Sequence, residues 1–77
     1  MGNEFTGILK GTGAKMKAEV GDGVVMFRGQ WKGDVPFNQI VAEVRGTLLV
    51  LSFADKVVEV SAGAQASKLA ARIRKGA

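Results

Sequence analysis

The sequence predicts an α+β, mainly β domain: a curled antiparallel sheet, or partly open barrel, of six or seven short strands capped by one C-terminal helix. Three observations lead there. Apolar residues alternate with period two through most of the stretch from about residue 5 to residue 60. The connections between these segments are of hairpin length and none can hold a crossover helix, so neighbouring strands run antiparallel. Only Ser61–Lys75 carries a helical period, with Ala66, Leu69, Ala70 and Ile73 on one apolar stripe. A sheet of this size must close or be covered to protect its edges, and an amphipathic helix at the end suits the open side.

In chain order, residues 1–4 are expected to be flexible, and strands fill about 5–60. The first strand spans Phe5–Lys10 and breaks at Gly11-Thr12-Gly13. Ala14, Met16, Ala18 and Val20 then alternate with Lys15, Lys17 and Glu19, the pattern of a strand with one wet face. Gly21-Asp22-Gly23 is a hairpin signal, because Asp-Gly supplies the backbone freedom a tight turn needs. The returning strand runs from Val24 to about Trp31, with Val25, Phe27 and Trp31 on one face. Lys32-Gly33-Asp34 turns again, and Val35-Pro36-Phe37 reads as an edge strand, since proline cannot donate to a ladder. Gln39–Arg45 sets Ile40, Ala42 and Val44 against Val41 and Glu43. Gly46 turns the chain into Thr47–Phe53, the most apolar strand, and Ala54-Asp55-Lys56 leads into Val57–Val60. The helix covers about 63–75, and the whole of 1–77 forms one domain.

Composition narrows the chemistry. Seventy-seven residues lie near the lower limit for a self-sufficient core, and there is no cysteine to staple it. Close packing and self-association remain as sources of stability, and a hydrophobic fraction of 47% is ample for a core. With neither His nor Cys, the two commonest transition-metal ligands are missing, and no cofactor is expected. Met1–Thr6 has neither the basic start nor the apolar run of a signal peptide. The longest apolar runs, such as Leu48–Leu51, are too short to cross a bilayer, so a cytoplasmic setting is expected. The net charge of +4 belongs to the chain's end: residues 1–59 carry seven basic and seven acidic side chains, whereas 60–77 carry Lys68, Arg72, Arg74 and Lys75 and no acid.

Several features fall in one order from Ala14 onward. An apolar strand ends in Phe27-Arg28-Gly29, and a turn leads to Pro36-Phe37 and Ile40. A Gly-started apolar strand follows, Gly46-Thr47-Leu48 through Phe53, then a hairpin strand and a Gly-Ala-rich helix start, Gly63-Ala64-Gln65-Ala66. The helix ends in Ile73-Arg74. In this the chain resembles a family of small bacterial domains of unknown function with a pleckstrin-homology-like fold, over about four fifths of its length. The resemblance implies a curled sheet with a helical lid and brings no catalytic residues. The chain departs from the family pattern at Leu69, where the family commonly has Trp, and at Ala62, where it often has Leu.

Candidate sites are few. Gly7, Gly11 and Gly13 do not match a nucleotide-binding fingerprint, because Met occupies position 16 and no Gly-Lys-Ser or Gly-Lys-Thr follows. Ser52, Ser61 and Ser67 have no base beyond Lys56 or Lys68, and Asp22, Asp34 and Asp55 sit in turns, where Asp serves the backbone. No enzyme is expected. Arg28, Trp31 and Lys32 form a basic–aromatic cluster that suggests base stacking, against which Trp31 reads as an extension of the Val25–Phe27 core stripe.

Two binding readings remain. Lys68, Arg72 and Lys75 recur at helical spacing, with Arg74 beside them. They suggest an anion patch for phospholipid headgroups or nucleic acid, although basic residues in a helix's last turns also complement its dipole by about 0.3–1 kcal/mol each. The strand Thr47–Phe53 is apolar on both faces, Leu49, Leu51 and Phe53 on one and Leu48 and Val50 on the other. With Val41 and Val58 in the flanking strands it suggests an interface with a second copy or another protein. The leading expectation is a non-enzymatic domain that dimerises through this surface.

Overall fold

The period-two pattern produces seven strands, described here for residues 4–76 of a computed structural model. They are β1 (Glu4–Leu9), β2 (Ala14–Val20), β3 (Val24–Gly29), β4 (Gly33–Pro36), β5 (Val41–Arg45), β6 (Leu48–Phe53) and β7 (Lys56–Ser61). All pair antiparallel in one sheet of order β4-β3-β2-β1-β7-β6-β5, which curls into a half-barrel. Every neighbour but one is also a neighbour in sequence. The exception, β1 beside β7, joins Gly7, Ile8 and Leu9 to Val60, Glu59 and Val58. It unites the two halves of the chain and leaves β4 and β5 as the free edges. The fold class read from the sequence is therefore present, with the helix α1 (Ala66–Gly76) packed on β5 and β6. No helix among the described residues is long and apolar enough to cross a membrane.

The inner face is apolar throughout. Met16, Ala18, Val20, Val25, Phe27, Leu49, Leu51, Val58 and Val60 are buried on it, beneath Ala66, Leu69, Ala70 and Ile73 of α1. No polar or charged side chain is buried among the described residues. The two alanines of the stripe carry little volume, so the helix can approach the sheet closely, while Leu69 and Ile73 supply the anchors. Full burial of each is worth about 1.5–3 kcal/mol.

Met16 shows how tightly the strands close. Its cross-strand neighbours are Gly7 in β1 and Gly29 in β3. A Cβ on Gly29 would fall 2.6 Å from the Lys15 carbonyl oxygen and 2.8 Å from Met16 Sδ, and its φ is +151°. A Cβ on Gly7 would lie 3.0 Å from the Glu59 carbonyl oxygen. The two glycines let the sheet close on the buried Met16 side chain.

Several boundaries differ from the sequence reading. Glu4 pairs with Glu19 inside β1, so the flexible start expected for 1–4 does not include it, and residues 1–3 lie outside the described part. β3 ends at Gly29, before Trp31. Phe37 leaves β4 to begin a 3₁₀ turn, Phe37–Gln39, with its N–H donated to the Gly23 carbonyl at 2.9 Å. The regular helix starts at Ala66 rather than 63. Gly63, at φ +58°, donates its N–H to the Thr47 carbonyl at 3.0 Å, and one 3₁₀ turn (Gly63–Gln65) intervenes before helical geometry is reached.

Two substitutions test this backbone. Gly29→Ala should destabilise by about 1–3 kcal/mol, through the clash and the positive φ. Ala54, at the tip of the β6–β7 hairpin, has φ 51°, a conformation that costs a side-chain-bearing residue about 1–2 kcal/mol. Ala54→Gly should therefore raise stability by up to about 1 kcal/mol. Denaturant unfolding of both variants checks the two signs.

Candidate functional site

Because side chains alternate, the residues that leave the core define an outer face, and strand register orders them into rows. One row crosses the sheet as Lys15, Ile8, Glu59, Val50 and Glu43. A second is Val57, Ser52 and Val41, and a third is Ser61, Leu48 and Arg45. Ile8, Val57, Val50, Val41 and Leu48 are thus neighbours along a strand or on a diagonal, and form an aliphatic patch interrupted by Glu59 and Ser52. Val41 is 61% exposed and Ile8 is 48% exposed, the large hydrophobics most open to solvent among the described residues. Leu48 and Val57 are half-buried. Val50, flanked on either side by Glu43 and Glu59, is only 6% exposed.

Val58 does not belong to this surface. It follows Val57 in sequence, so the period of two turns it inward, and it is fully buried opposite Leu9 and Leu51. Its place in the expected interface is taken by Val57. Ile8 carries the patch onto β1. It was missed because β1 was read as a strand without assigning its faces.

The helix cations do not form one patch. Arg74 donates from Nε and Nη2 to the Ala42 carbonyl oxygen, at 3.1 and 2.6 Å. That carbonyl lies on β5, a free edge, and Arg74 occupies one of the positions at which another strand would otherwise pair. Arg72 Nη2 donates to the Gly21 carbonyl at 3.1 Å, in the β2–β3 turn. Lys68 and Lys75 are exposed and have no such partner among the described residues. Asp22 lines the same shallow cleft of about 360 Å³ as Arg72 and Lys75, which sets a carboxylate among the cations. Two of the four residues are therefore ties between helix and sheet.

Trp31 packs against the core from the sheet's end. Its ring centroid lies 5.7 Å from that of Phe27 and 5.6 Å from that of Phe53, and Lys56 Nζ stands 5.2 Å from it. The stacking platform needed for a base is thus taken up by protein neighbours, while Arg28 points away on the outer face of β3. Lys56 also donates to Asp55 Oδ1 at 3.3 Å and by that bond holds the Asp55 carboxyl below its ordinary value of 3.8. A depressed carboxyl adds stability above the unfolded-state value, lost as pH falls through the folded one. Asp55 is fully exposed, so water screens this pair.

No family model, curated protein or solved structure matches the chain.

Arg74 and Lys68 give opposite expectations. Arg74→Met should lower stability by about 0.5–3 kcal/mol, because a charge-assisted bond to a carbonyl is lost. Lys68→Met should stay within about 0.5 kcal/mol of the parent. Thermal unfolding at neutral pH compares the two.

Proposed function

We propose that the chain is a non-enzymatic, cytoplasmic interaction domain that self-associates through the outer face of β1, β7, β6 and β5. The observation that carries this reading is the convergence of both strongly exposed large hydrophobics, Ile8 and Val41, on one patch with Val57, Val50 and Leu48. A second copy brings opposite charges together at the two ends of the face, at the cost of setting Glu59 against its own copy at the centre. The row that begins with Lys15 and ends with Glu43 is reversed in a copy turned through 180°, which sets Lys15 against Glu43 and Ile8 against Val50. Glu59 then falls near the axis. The lack of any His or Cys supports a non-catalytic role. The strand order and the helical lid support the pleckstrin-homology-like resemblance.

Size sets the expected strength. The molecule measures 29 × 25 × 23 Å, so one sheet face offers less than the roughly 800 Å² per partner of a standard stable interface. The dimer should be reversible, formed at micromolar rather than nanomolar concentration. Sedimentation equilibrium over a range of concentrations should show it. Val41→Lys or Ile8→Lys should yield monomers with unchanged circular dichroism, since both positions are open to water in the single chain. A wild type that stays monomeric at high micromolar concentration, or dimers that persist in both variants, would sink the proposal.

A further inference from the structure

The outer face at the β2–β3 end has a different chemistry. Lys17 stands directly opposite Arg28, and Lys15 lies two residues along the same strand on the same side. Like charges placed directly across a sheet destabilise it. None of the three makes a close ion pair among the described residues, where those pairs are Arg45–Glu43 and Lys56–Asp55, and the nearest acids on this face, Glu19 and its neighbour Glu4, lie beyond Lys17 at the other end of β2. All three are exposed and, with Thr6, Gly29 and Met16, line an open hollow of about 420 Å³. Neither the periodicity nor the net charge of the chain marks this hollow, because Lys17 and Arg28 meet only through strand pairing.

We infer that the hollow formed by Lys15, Lys17, Arg28 and Thr6 binds a compact phosphate-bearing ligand, a phosphate monoester or pyrophosphate group. Two residues along a strand span about 7 Å, and facing residues stand about 5 Å apart, so the three cations bracket a single phosphate or a pyrophosphate. Arg28 contributes a planar fork that suits paired phosphate oxygens, and the two lysines contribute point charges. Thr6, opposite Lys17 in β1, adds a hydroxyl donor. A nucleic acid strand is disfavoured, since the lone Trp is packed against Phe27 and Phe53 and does not line the hollow. The site is open to water, so binding should be weak and fall with salt. Lys17 and Arg28 lie off the aliphatic patch and Lys15 alone is shared with the proposed dimer contact, so the titration is made on dilute protein, where the chain is monomeric and the two proposals fail separately.

The phosphate can be free or carried on a lipid headgroup, and one experiment separates the two. Inorganic pyrophosphate is titrated into the labelled protein at low ionic strength, with amide shifts followed by NMR. In parallel the protein is sedimented with phosphatidylcholine vesicles containing phosphatidic acid, or phosphatidylglycerol at matched charge. Saturable shifts centred on Thr6, Lys15, Lys17 and Arg28, weakened at least about ten-fold in Lys17→Gln and Arg28→Gln but not in Lys68→Gln, support the site. Co-sedimentation selective for phosphatidic acid and competed by pyrophosphate identifies a lipid headgroup, and pyrophosphate binding without vesicle binding identifies a free phosphate. The unliganded Lys17→Gln and Arg28→Gln proteins should keep the parent's circular dichroism, so that a loss of binding is not a loss of folding. Shifts spread over all lysines, equal weakening by Lys68→Gln, or no binding in either arm would overturn the inference.

Discussion

The structure depends on closing the mouth of an open sheet. Seven antiparallel strands with β4 and β5 as free edges leave an apolar inner face that must be kept from water. The helix does this with Ala66, Leu69, Ala70 and Ile73, and its arginines tie it down on both flanks. Arg72 reaches the carbonyl of Gly21 at the β2–β3 turn, and Arg74 reaches that of Ala42 on the β5 edge. Apolar burial supplies most of the energy, and the two arginines fix where the lid sits. A domain this small has little stability to spare, about 0.05–0.15 kcal/mol per residue in general. Each of these contacts is therefore a sizeable part of the whole.

The lid also settles which surfaces remain for binding. With the inner face filled and the β5 edge occupied in part by Arg74, the outer face is the broadest surface left to partners, beside the β4 edge. Register divides that face into two regions. Around Val50 the rows mix aliphatic and acidic side chains, and around Lys17 they bring basic side chains together. Lys15 stands at the border, in the first row beside Ile8. An apolar patch flanked by charge is the usual composition of a surface that meets another protein, whereas adjacent unpaired cations suit a small anion.

Much of this was legible beforehand. β2 was delimited to the residue, because Lys15, Lys17 and Glu19 alternate without interruption between two Gly-rich turns. The helical stripe and its anchors followed from spacing alone. Val41 and Val50 were placed on the outer face by the same logic. Val58 was misplaced on the outer surface: it pairs with Leu9 and Leu51 and turns inward, whereas its neighbour Val57 faces outward. Trp31 went to the core cluster as its neighbours suggested, yet outside β3, which ends at Gly29.

Local periodicity and turn chemistry by themselves determined the strands, their connections, the helix and the antiparallel order, because each depends on residues near in sequence. Long-range register decided the rest. The pairing of β1 with β7 placed Ile8 beside the β6 patch, and the β2–β3 ladder set Lys17 against Arg28. Docking of the helix turned Arg72 and Arg74 from members of a basic stripe into ties to backbone carbonyls. A charge in a sequence has no fixed partner. Only the folded chain, by bringing distant carbonyls and cations within hydrogen-bond reach, determines whether that charge closes the fold or is left to bind.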